Sequence, residues 1–346
     1  MKMKNMRWMV VLLVLLFSVV SVFGCTPAAD EPAPPADDNG DVEPVEPEPE
    51  PLRVAMMLPG PITDQGWNAT AYNGLMRIQD ELGLEVAFTE QVDLSDIPEI
   101  VRAFANQGYD IIIGHGFQFG DPIDAINEEF PDIKFVVTSS TFHKAPNVAS
   151  LNNDNWQQGF LAGAFSALMT ESGKVGAVAG LEIPSITAYV NGYEAGVRYI
   201  SDDVEYTTVF TGDFYDAVRA RESADAMINA GVDIIAHNAD AAGLGVFEAA
   251  RDRNVWAIGS ITDQKDAAPE VIVTSAMSNL SDGIFEFVKS LTEGEEFVPE
   301  PYWMGIEEGI VGLAPFHDFD DQIPQDVKDR LDEIKDLLAA ESIPRD

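Results

Sequence analysis

Short apolar runs and helical segments alternate along most of the chain. Arg53–Leu58, Glu85–Thr89 and Asp110–Gly114 are apolar runs that predict buried strands. Between the first two lies Ala69–Leu82, which predicts a helix that ends at Gly83. The run continues with a helix around Pro122–Phe130 and with the strands Lys134–Thr138 and Asn147–Leu151. Alternating strands and helices predict an α/β fold, in which helices cover both faces of a parallel sheet.

The same pattern then starts a second time. Gln157–Thr170 predicts a helix and Lys174–Ala179 a strand. Three further strands are predicted in this run, at Val204–Phe210, Asp233–His237 and Val255–Gly259. Two successive runs predict two similar lobes. The strand Val271–Ser275 and the helix Asp282–Leu291 follow the second run and have no lobe of their own.

The N-terminus has the pattern of an export signal. Positive charges at positions 2, 4 and 7 precede Trp8–Phe23, an apolar run of 16 residues. This run is short for a membrane-spanning helix and typical of a signal peptide, which we assign to residues 1–24. Cys25 lies where a bacterial lipoprotein carries its lipid, although Phe23 stands where a small residue is usual. An uncleaved N-terminal anchor is the alternative, and either arrangement would export the protein and hold it at a membrane.

A tether is expected between the lipid and the folded lobes, over residues 25–51. Thr26–Pro51 contains eight prolines, nine acidic residues and no basic residue. With so few apolar side chains, the segment cannot bury enough surface to offset the entropy of ordering. Proline and like charges favour an extended chain.

Composition excludes several classes of function. The 346 residues include 59 acidic and 20 basic ones, a formal net charge of −39. A chain so acidic repels phosphate backbones, so we expect no nucleic-acid partner. A single cysteine excludes an internal disulfide framework, and the four histidines are too widely separated for a metal motif. We therefore expect no metal and no cofactor. We also expect a monomer.

Aromatic and acidic side chains follow the predicted strands in both runs. In parallel α/β sheets ligands bind beyond the carboxyl ends of the strands. Asp64, Trp67 and Asn68 come after the first strand and Phe117 after the third. In the second run the corresponding loops contain Phe214, Asn238, Asp240 and Asp263. Rings stack on flat ligands and carboxylates accept hydrogen bonds, so these residues predict a site for a small flat polar molecule.

Several motifs in fixed order resemble the basic membrane protein family, which includes bacterial purine nucleoside receptor lipoproteins. The motifs are Asp64-Gln-Gly-Trp-Asn68, Gly108-Tyr-Asp-Ile-Ile-Ile-Gly-His-Gly-Phe117, Gly159-Phe-Leu-Ala-Gly163, Asn191-Gly-Tyr-Glu-Ala-Gly196, Asp240-Ala-Ala-Gly-Leu-Gly-Val-Phe-Glu-Ala-Ala250 and Tyr302-Trp-Met-Gly-Ile-Glu-Glu-Gly309. The resemblance implies a type I periplasmic-binding-protein fold, in which two Rossmann-like lobes are joined by three crossovers. It places residues 52–148 and 273–300 in lobe 1, and residues 149–272 and 301–346 in lobe 2.

The family resemblance also implies a function. It implies an extracytoplasmic, lipid-anchored binding protein of an ATP-driven importer, whose partners are permease and ATPase subunits. A purine base or nucleoside would bind between the lobes, in contact with the candidate residues above, which include Asn238 and Asp240. One departure concerns the sugar, because Ser278 stands where nucleoside-binding members tend to have a lysine. This departure favours a free base.

Two other functions remain possible on sequence grounds. A receptor could bind the same ligand for a signalling partner without transport. A secreted dinucleotide-binding enzyme is the second, because Gly243-Leu-Gly245 follows a strand and opens a helix. The third glycine of that fingerprint is replaced by Glu248, whose charge would repel a pyrophosphate.

The lipid anchor gives a direct prediction. Replacement Cys25→Ala removes the only thiol that could carry a lipid. We expect the variant to remain unprocessed or to leave the membrane fraction, as followed by cell fractionation and by the mass of the mature chain. A variant that is processed and sedimented with membranes like the parent would contradict the assignment.

Overall fold

The computed structural model describes residues 51–64 and 66–345. The predicted signal peptide and the lipidation site Cys25 lie outside the described residues, as does all of the predicted tether except Pro51. The described residues form twelve strands, β1 Arg53–Met57, β2 Glu85–Thr89, β3 Ile111–Gly114, β4 Lys134–Thr138, β5 Val148–Asn153, β6 Lys174–Ala179, β7 Glu205–Phe210, β8 Ile234–Asn238, β9 Trp256–Ile261, β10 Ile272–Ser278, β11 Pro301–Met304 and β12 Val311–Leu313.

The described part of the chain has nine α-helices, of which eight lie between these strands and the ninth follows the last strand. They are α1 Trp67–Leu82, α2 Ile97–Asn106, α3 Gly120–Asp124, α4 Asn155–Met169, α5 Pro184–Ile200, α6 Ala217–Asn229, α7 Gly243–Arg253, α8 Leu280–Thr292 and α9 Gln325–Ala339. Side-chain caps define several starts: Asp154 accepts the N–H of Gln157 in α4, and Asp216 accepts that of Arg219 in α6. None of the helices in residues 51–64 and 66–345 is both long and apolar enough to cross a membrane.

The strands form two six-stranded sheets. The first has the order β11–β5–β4–β3–β1–β2, and every neighbouring pair in it is parallel. The second has the order β12–β10–β9–β8–β6–β7, in which β12 alone is antiparallel to its neighbour. We call the sheets with their helices lobe 1 and lobe 2. The predicted α/β class with two lobes is confirmed.

Helices cover both faces of each sheet because successive residues of a strand point to opposite faces. In β1, Val54 and Met56 pack with α1 and α8, whereas Ala55 and Met57 pack with α2 and α3. In lobe 2, one face of the sheet packs on α4, α5 and α9, and the other on α6 and α7. Strands buried on both faces explain the continuous apolar runs in the sequence.

The chain crosses between the lobes three times, after β5, after β10 and after β11. These crossings differ from the expected lobe boundaries. Strand β5 (Val148–Asn153) belongs to lobe 1, although residues from 149 onward were expected in lobe 2. Strand β10 pairs with β9 in lobe 2, although residues 273–300 were expected in lobe 1. Helix α8 and Phe297, which follow it, pack in lobe 1 as expected. Strand β11 lies in lobe 1, although residues from 301 onward were expected in lobe 2. The chain changes lobe only where a strand has ended, because a strand that left its sheet midway would lose its backbone partners.

Two short strands and one helix also differ from the sequence prediction. The strands β11 and β12 have four and three residues and were not predicted, because so short a run carries little periodicity. The helix predicted around Pro122–Phe130 consists of the five-residue α3 and a separate 3₁₀ turn at Asn127–Glu129.

Helices α4 and α5 approach each other unusually closely. A Cβ at Gly159 or Gly163 would overlap the backbone carbonyl oxygen of Tyr189 or Tyr193 on α5. A Cβ at Gly192 would overlap the carbonyl of Trp156 on α4 in the same way. The glycines of the two Gly-x-x-x-Gly motifs therefore allow the two helix backbones to touch.

The close helix pair gives a stability prediction. Gly163→Ala should lower the free energy of unfolding by about 1–3 kcal/mol, because two buried backbones must move apart. In an uncrowded helix the same change would stabilise the protein, since alanine is the better helix former. Urea unfolding measures the effect.

Gly312→Ala serves as the matched control, because a Cβ there meets no heavy atom within 4 Å. A Gly163→Ala variant as stable as the parent or the control would refute the proposed packing role.

Candidate functional site

The carboxyl ends of the parallel strands in both lobes face a cavity of about 420 Å³. Volumes of this order are typical of sites for small organic molecules. The polar side chains around it include Asn68, Asp93, Gln118, Ser139, Asn155, Ser185, Asn238, Asp240 and Ser278. The apolar and aromatic ones include Trp67, Leu94, Phe117, Leu181, Ile183, Ile186, Phe214, Tyr215 and Ile261.

Asp64 organises the start of helix α1. Its carboxylate accepts the backbone N–H groups of Gly66, Asn68 and Ala69 at 2.8–3.0 Å. It also accepts the side-chain amide of Asn68 at 2.6 Å, and the oxygen of that amide accepts the N–H of Gly60 at 3.1 Å. Asp64 itself is not among the residues that line the cavity. The structure therefore gives this predicted contact a positioning role, in which it fixes Asn68.

Trp67 stacks on the ring of His115, a residue that the sequence did not single out. The rings of Trp67 and His115 are stacked, with centroids 4.3 Å apart and planes 26° apart. His115 is fully buried, and Thr138 Oγ1 lies 3.0 Å from its Nδ1. Burial lowers the pKa of His115 to about 3, so the imidazole is neutral at ordinary pH. The neutral imidazole of His115 thus packs against one face of the indole.

Other aromatic rings reach the cavity from both lobes. Phe117 comes from lobe 1 and is 49% exposed, and Phe214 and Tyr215 come from lobe 2, where Tyr215 is 58% exposed. Gly180 leaves room for Phe214, since a Cβ there would overlap its ring. Exposed rings on facing walls of a cavity are available to hold a flat molecule between them.

The side chain of Asp240 makes a hydrogen bond from lobe 2 to lobe 1. This residue of lobe 2 accepts the backbone N–H of Trp67 in lobe 1, at 3.3 Å. Burial and, next, the nearby Asp64 carboxylate raise the pKa of Asp240 to about 7, while the Trp67 N–H acts in the opposite direction. Asp240 is therefore a carboxyl group that can be protonated near neutral pH.

Of the other predicted site residues in lobe 2, Asn238 lines the cavity and Asp263 does not. Asp263 Oδ2 lies 2.6 Å from His317 Nε2. His237 is buried behind Asn238, with its Nε2 2.8 Å from Gln264 Oε1. Burial lowers the pKa of His237 to about 4.

Several cavity residues could not be singled out from the sequence. Tyr215 directly follows Phe214, and the sequence does not show which of two adjacent rings enters a cavity. Asp93 and Leu94 lie in the loop after β2. This loop follows the end of a parallel strand, as do the loops from which the candidate residues were chosen. Asn155 and Ser278 lie where the chain crosses between the lobes.

The glycines that resemble a dinucleotide fingerprint have packing roles. A Cβ at Gly245 would overlap the carbonyl oxygen of Ala217, and a Cβ at Gly243 would overlap the ring of His237. Glu248 forms an ion pair with Arg221. Within the described residues, no group of three or more His, Cys, Asp or Glu is arranged to hold a metal ion.

Comparison with known proteins identifies related chains. Residues 52–344 match the sequence model of the Bmp family, described as ABC transporter substrate-binding protein PnrA-like. The chain is 27% identical over 271 residues to the transcriptional activator protein Med of Bacillus subtilis, which covers 78% of this chain and 84% of Med. It is 25% identical over 282 residues to a purine-binding protein of Brucella abortus, which covers 81% of this chain and 78% of that protein.

A solved structure extends the comparison to the fold. The ABC transporter solute-binding protein from Conexibacter woesei superimposes with a TM-score of 0.70 at 25% identity, and the match covers 85% of this chain and 98% of that chain. The predicted type I binding-protein fold is thereby confirmed.

Proposed function

The chain belongs to the Bmp family of PnrA-like ABC transporter substrate-binding proteins, and from this premise we propose that it binds a purine base or nucleoside between its lobes. The observation that carries the proposal is the set of aromatic rings on both walls of the cavity. Trp67 and Phe117 come from one lobe and Phe214 and Tyr215 from the other. A purine held between these rings would gain stacking on both faces.

Polar groups beside the rings suit the edges of a purine. The carboxamides of Asn68 and Asn238 can each donate and accept a hydrogen bond, and Asp240 accepts or donates according to its protonation. Asn68 is held by Asp64 and Gly60, so little side-chain entropy is lost when it binds a ligand. The purine-binding relative from Brucella abortus supports the same ligand class.

The charges around the cavity disfavour a nucleotide. Among the residues that the structure describes, Asp93 and Asp240 are the only ones with charged side chains that line it. In the described residues, fifteen of the seventeen Lys and Arg side chains form ion pairs with acidic partners. A phosphate would therefore meet carboxylates without a cation to bind.

Ser278 in the cavity lining favours a base over a nucleoside. Ser278 lines the cavity and is almost fully buried, and its Oγ accepts the side-chain N–H of Asn153 at 2.6 Å. A serine is shorter than the lysine expected near a ribose and has no charge. Ser278 therefore reaches less far toward sugar hydroxyls than a lysine at this position would.

In the cell we propose a binding protein for an ATP-driven importer, tethered through lipid at Cys25 outside the cytoplasm and acting as a monomer. Its partners would be the permease and ATPase subunits. A ligand sensor without transport is the second candidate, and the similarity to the activator Med favours keeping it. Permease and ATPase genes beside this gene, and stimulation of their ATPase by the liganded protein, would support transport and oppose the sensor.

The aromatic cavity gives an affinity prediction. Trp67→Ala should weaken purine binding by about ten- to a hundredfold, since base–aromatic stacking contributes roughly 1–3 kcal/mol. Calorimetric titration with adenine, guanine, hypoxanthine, adenosine, guanosine and inosine measures the change.

Trp303→Ala is the matched control, because Trp303 is 56% exposed on β11 and does not line the cavity. Its affinity should equal that of the parent. Failure of all six purines to bind, or equal binding by Trp67→Ala and the parent, would show that the cavity serves a different solute.

A further inference from the structure

The start of helix α1 needs partners for four backbone N–H groups, because these have no acceptor within the helix. They belong to Gly66, Trp67, Asn68 and Ala69. Asp64 of the same lobe accepts three of them, those of Gly66, Asn68 and Ala69. Only the N–H of Trp67 remains for another acceptor.

That acceptor comes from the opposite lobe. Asp240 follows β8 and directs Oδ1 to the N–H of Trp67 at 3.3 Å. Two local features permit the contact. Asp240 has a left-handed backbone with φ of 48°, which aspartate tolerates better than most residues. Gly66 has no side chain, and a Cβ there would overlap Asp240 Oδ1.

We propose that Asp240 is a positioning residue, which caps helix α1 from the opposite lobe and thereby fixes Trp67 against the ligand only while the two lobes are closed. Separation of the lobes would leave the Trp67 N–H to water and return Asp240 to solvent. The cap thus links the orientation of the main stacking ring to closure. It is a role distinct from direct contact with the ligand.

The contact also brings two carboxyl groups to one helix end, since Asp64 and Asp240 bind neighbouring N–H groups. Burial and Asp64 raise the pKa of Asp240 to about 7 in the closed arrangement. The other titratable groups around it are Asp93, Asp213, Tyr215, His115 and His237. The pKa values of the two buried histidines are lowered to about 3 and about 4, and that of Tyr215 is raised, so these three do not titrate near neutrality.

The direction of the pH effect follows from these values. In an open cleft Asp240 would face water, where a carboxyl group has a pKa of about 4. Between that value and about 7 the closed state holds a proton that the open state lacks. Closure is therefore favoured as the pH falls, and this contribution is lost as the pH rises through about 7. If Asp240 instead served only as a carboxylate that accepts a ligand N–H, affinity would increase with rising pH.

Nuclear magnetic resonance of the Trp67 amide tests the cap directly. The full chain is labelled with ¹⁵N-tryptophan, and the Trp67 backbone signal is identified by its loss in Trp67→Phe. Between pH 5.5 and 8.5 we expect this signal to titrate, with a midpoint near 7 when adenine closes the lobes and a lower midpoint without adenine, because open lobes leave Asp240 in water. Asp240→Asn should abolish the titration. Asp263→Asn, which removes a carboxylate outside the cavity, should preserve it.

Affinity for adenine gives a second readout, which rests on the proposed function whereas the amide titration does not. We expect parent affinity to fall on the order of tenfold between pH 5.5 and 7.5. Asp240→Asn keeps an oxygen for Trp67 and should bind tightly with a flat profile, whereas Asp240→Ala should bind weakly at every pH.

A Trp67 amide that does not titrate in the parent, or that titrates unchanged in Asp240→Asn, would overturn the proposal. So would an affinity that increases with pH. Failure of adenine to bind while the amide titrates normally would count against the purine ligand alone and would leave the cap supported.

Discussion

The carboxylate of Asp64 holds three backbone N–H groups at the start of helix α1, and the geometry of the cavity depends on this arrangement. It fixes Asn68 at the cavity wall and sets the position of the preceding residue, Trp67, at the start of the helix. It also leaves a single N–H for Asp240 to reach across the cleft. One short loop after β1 therefore determines a polar contact, a stacking ring and the meeting point of the two lobes.

The acidic composition of the chain affects which ligands the cavity can bind. Most cations are engaged in surface ion pairs, which contribute little stability individually. The consequence for binding is larger, because no Lys or Arg within residues 51–64 and 66–345 lines the cavity. Neutral rings, carboxamides and hydroxyls, together with the carboxyl groups of Asp93 and Asp240, remain to recognise a ligand, and such a set suits an uncharged heteroaromatic molecule. The charge pattern therefore selects against phosphate before any individual contact is considered.

The sequence predicted the two-lobed fold because buried parallel strands are continuous apolar runs. It placed Trp67, Phe117 and Asp240 at strand ends, and all three line the cavity. It did not distinguish a ligand contact from a capping residue, because the carboxylate of Asp64 suits both roles and only the backbone around it decides. Nor could it indicate His115, since contact between a ring after β3 and one on α1 depends on the arrangement of the strands.

Native mass spectrometry of the full chain tests the central claim most directly, because it reports which molecule the intact protein holds. The account predicts a one-to-one complex with a purine base or nucleoside, either retained through purification or formed on addition of the purine. Release of the bound molecule by denaturation would identify it. A chain that carried a nucleotide, a dinucleotide or a sugar instead, or that formed no complex with any purine, would contradict the account.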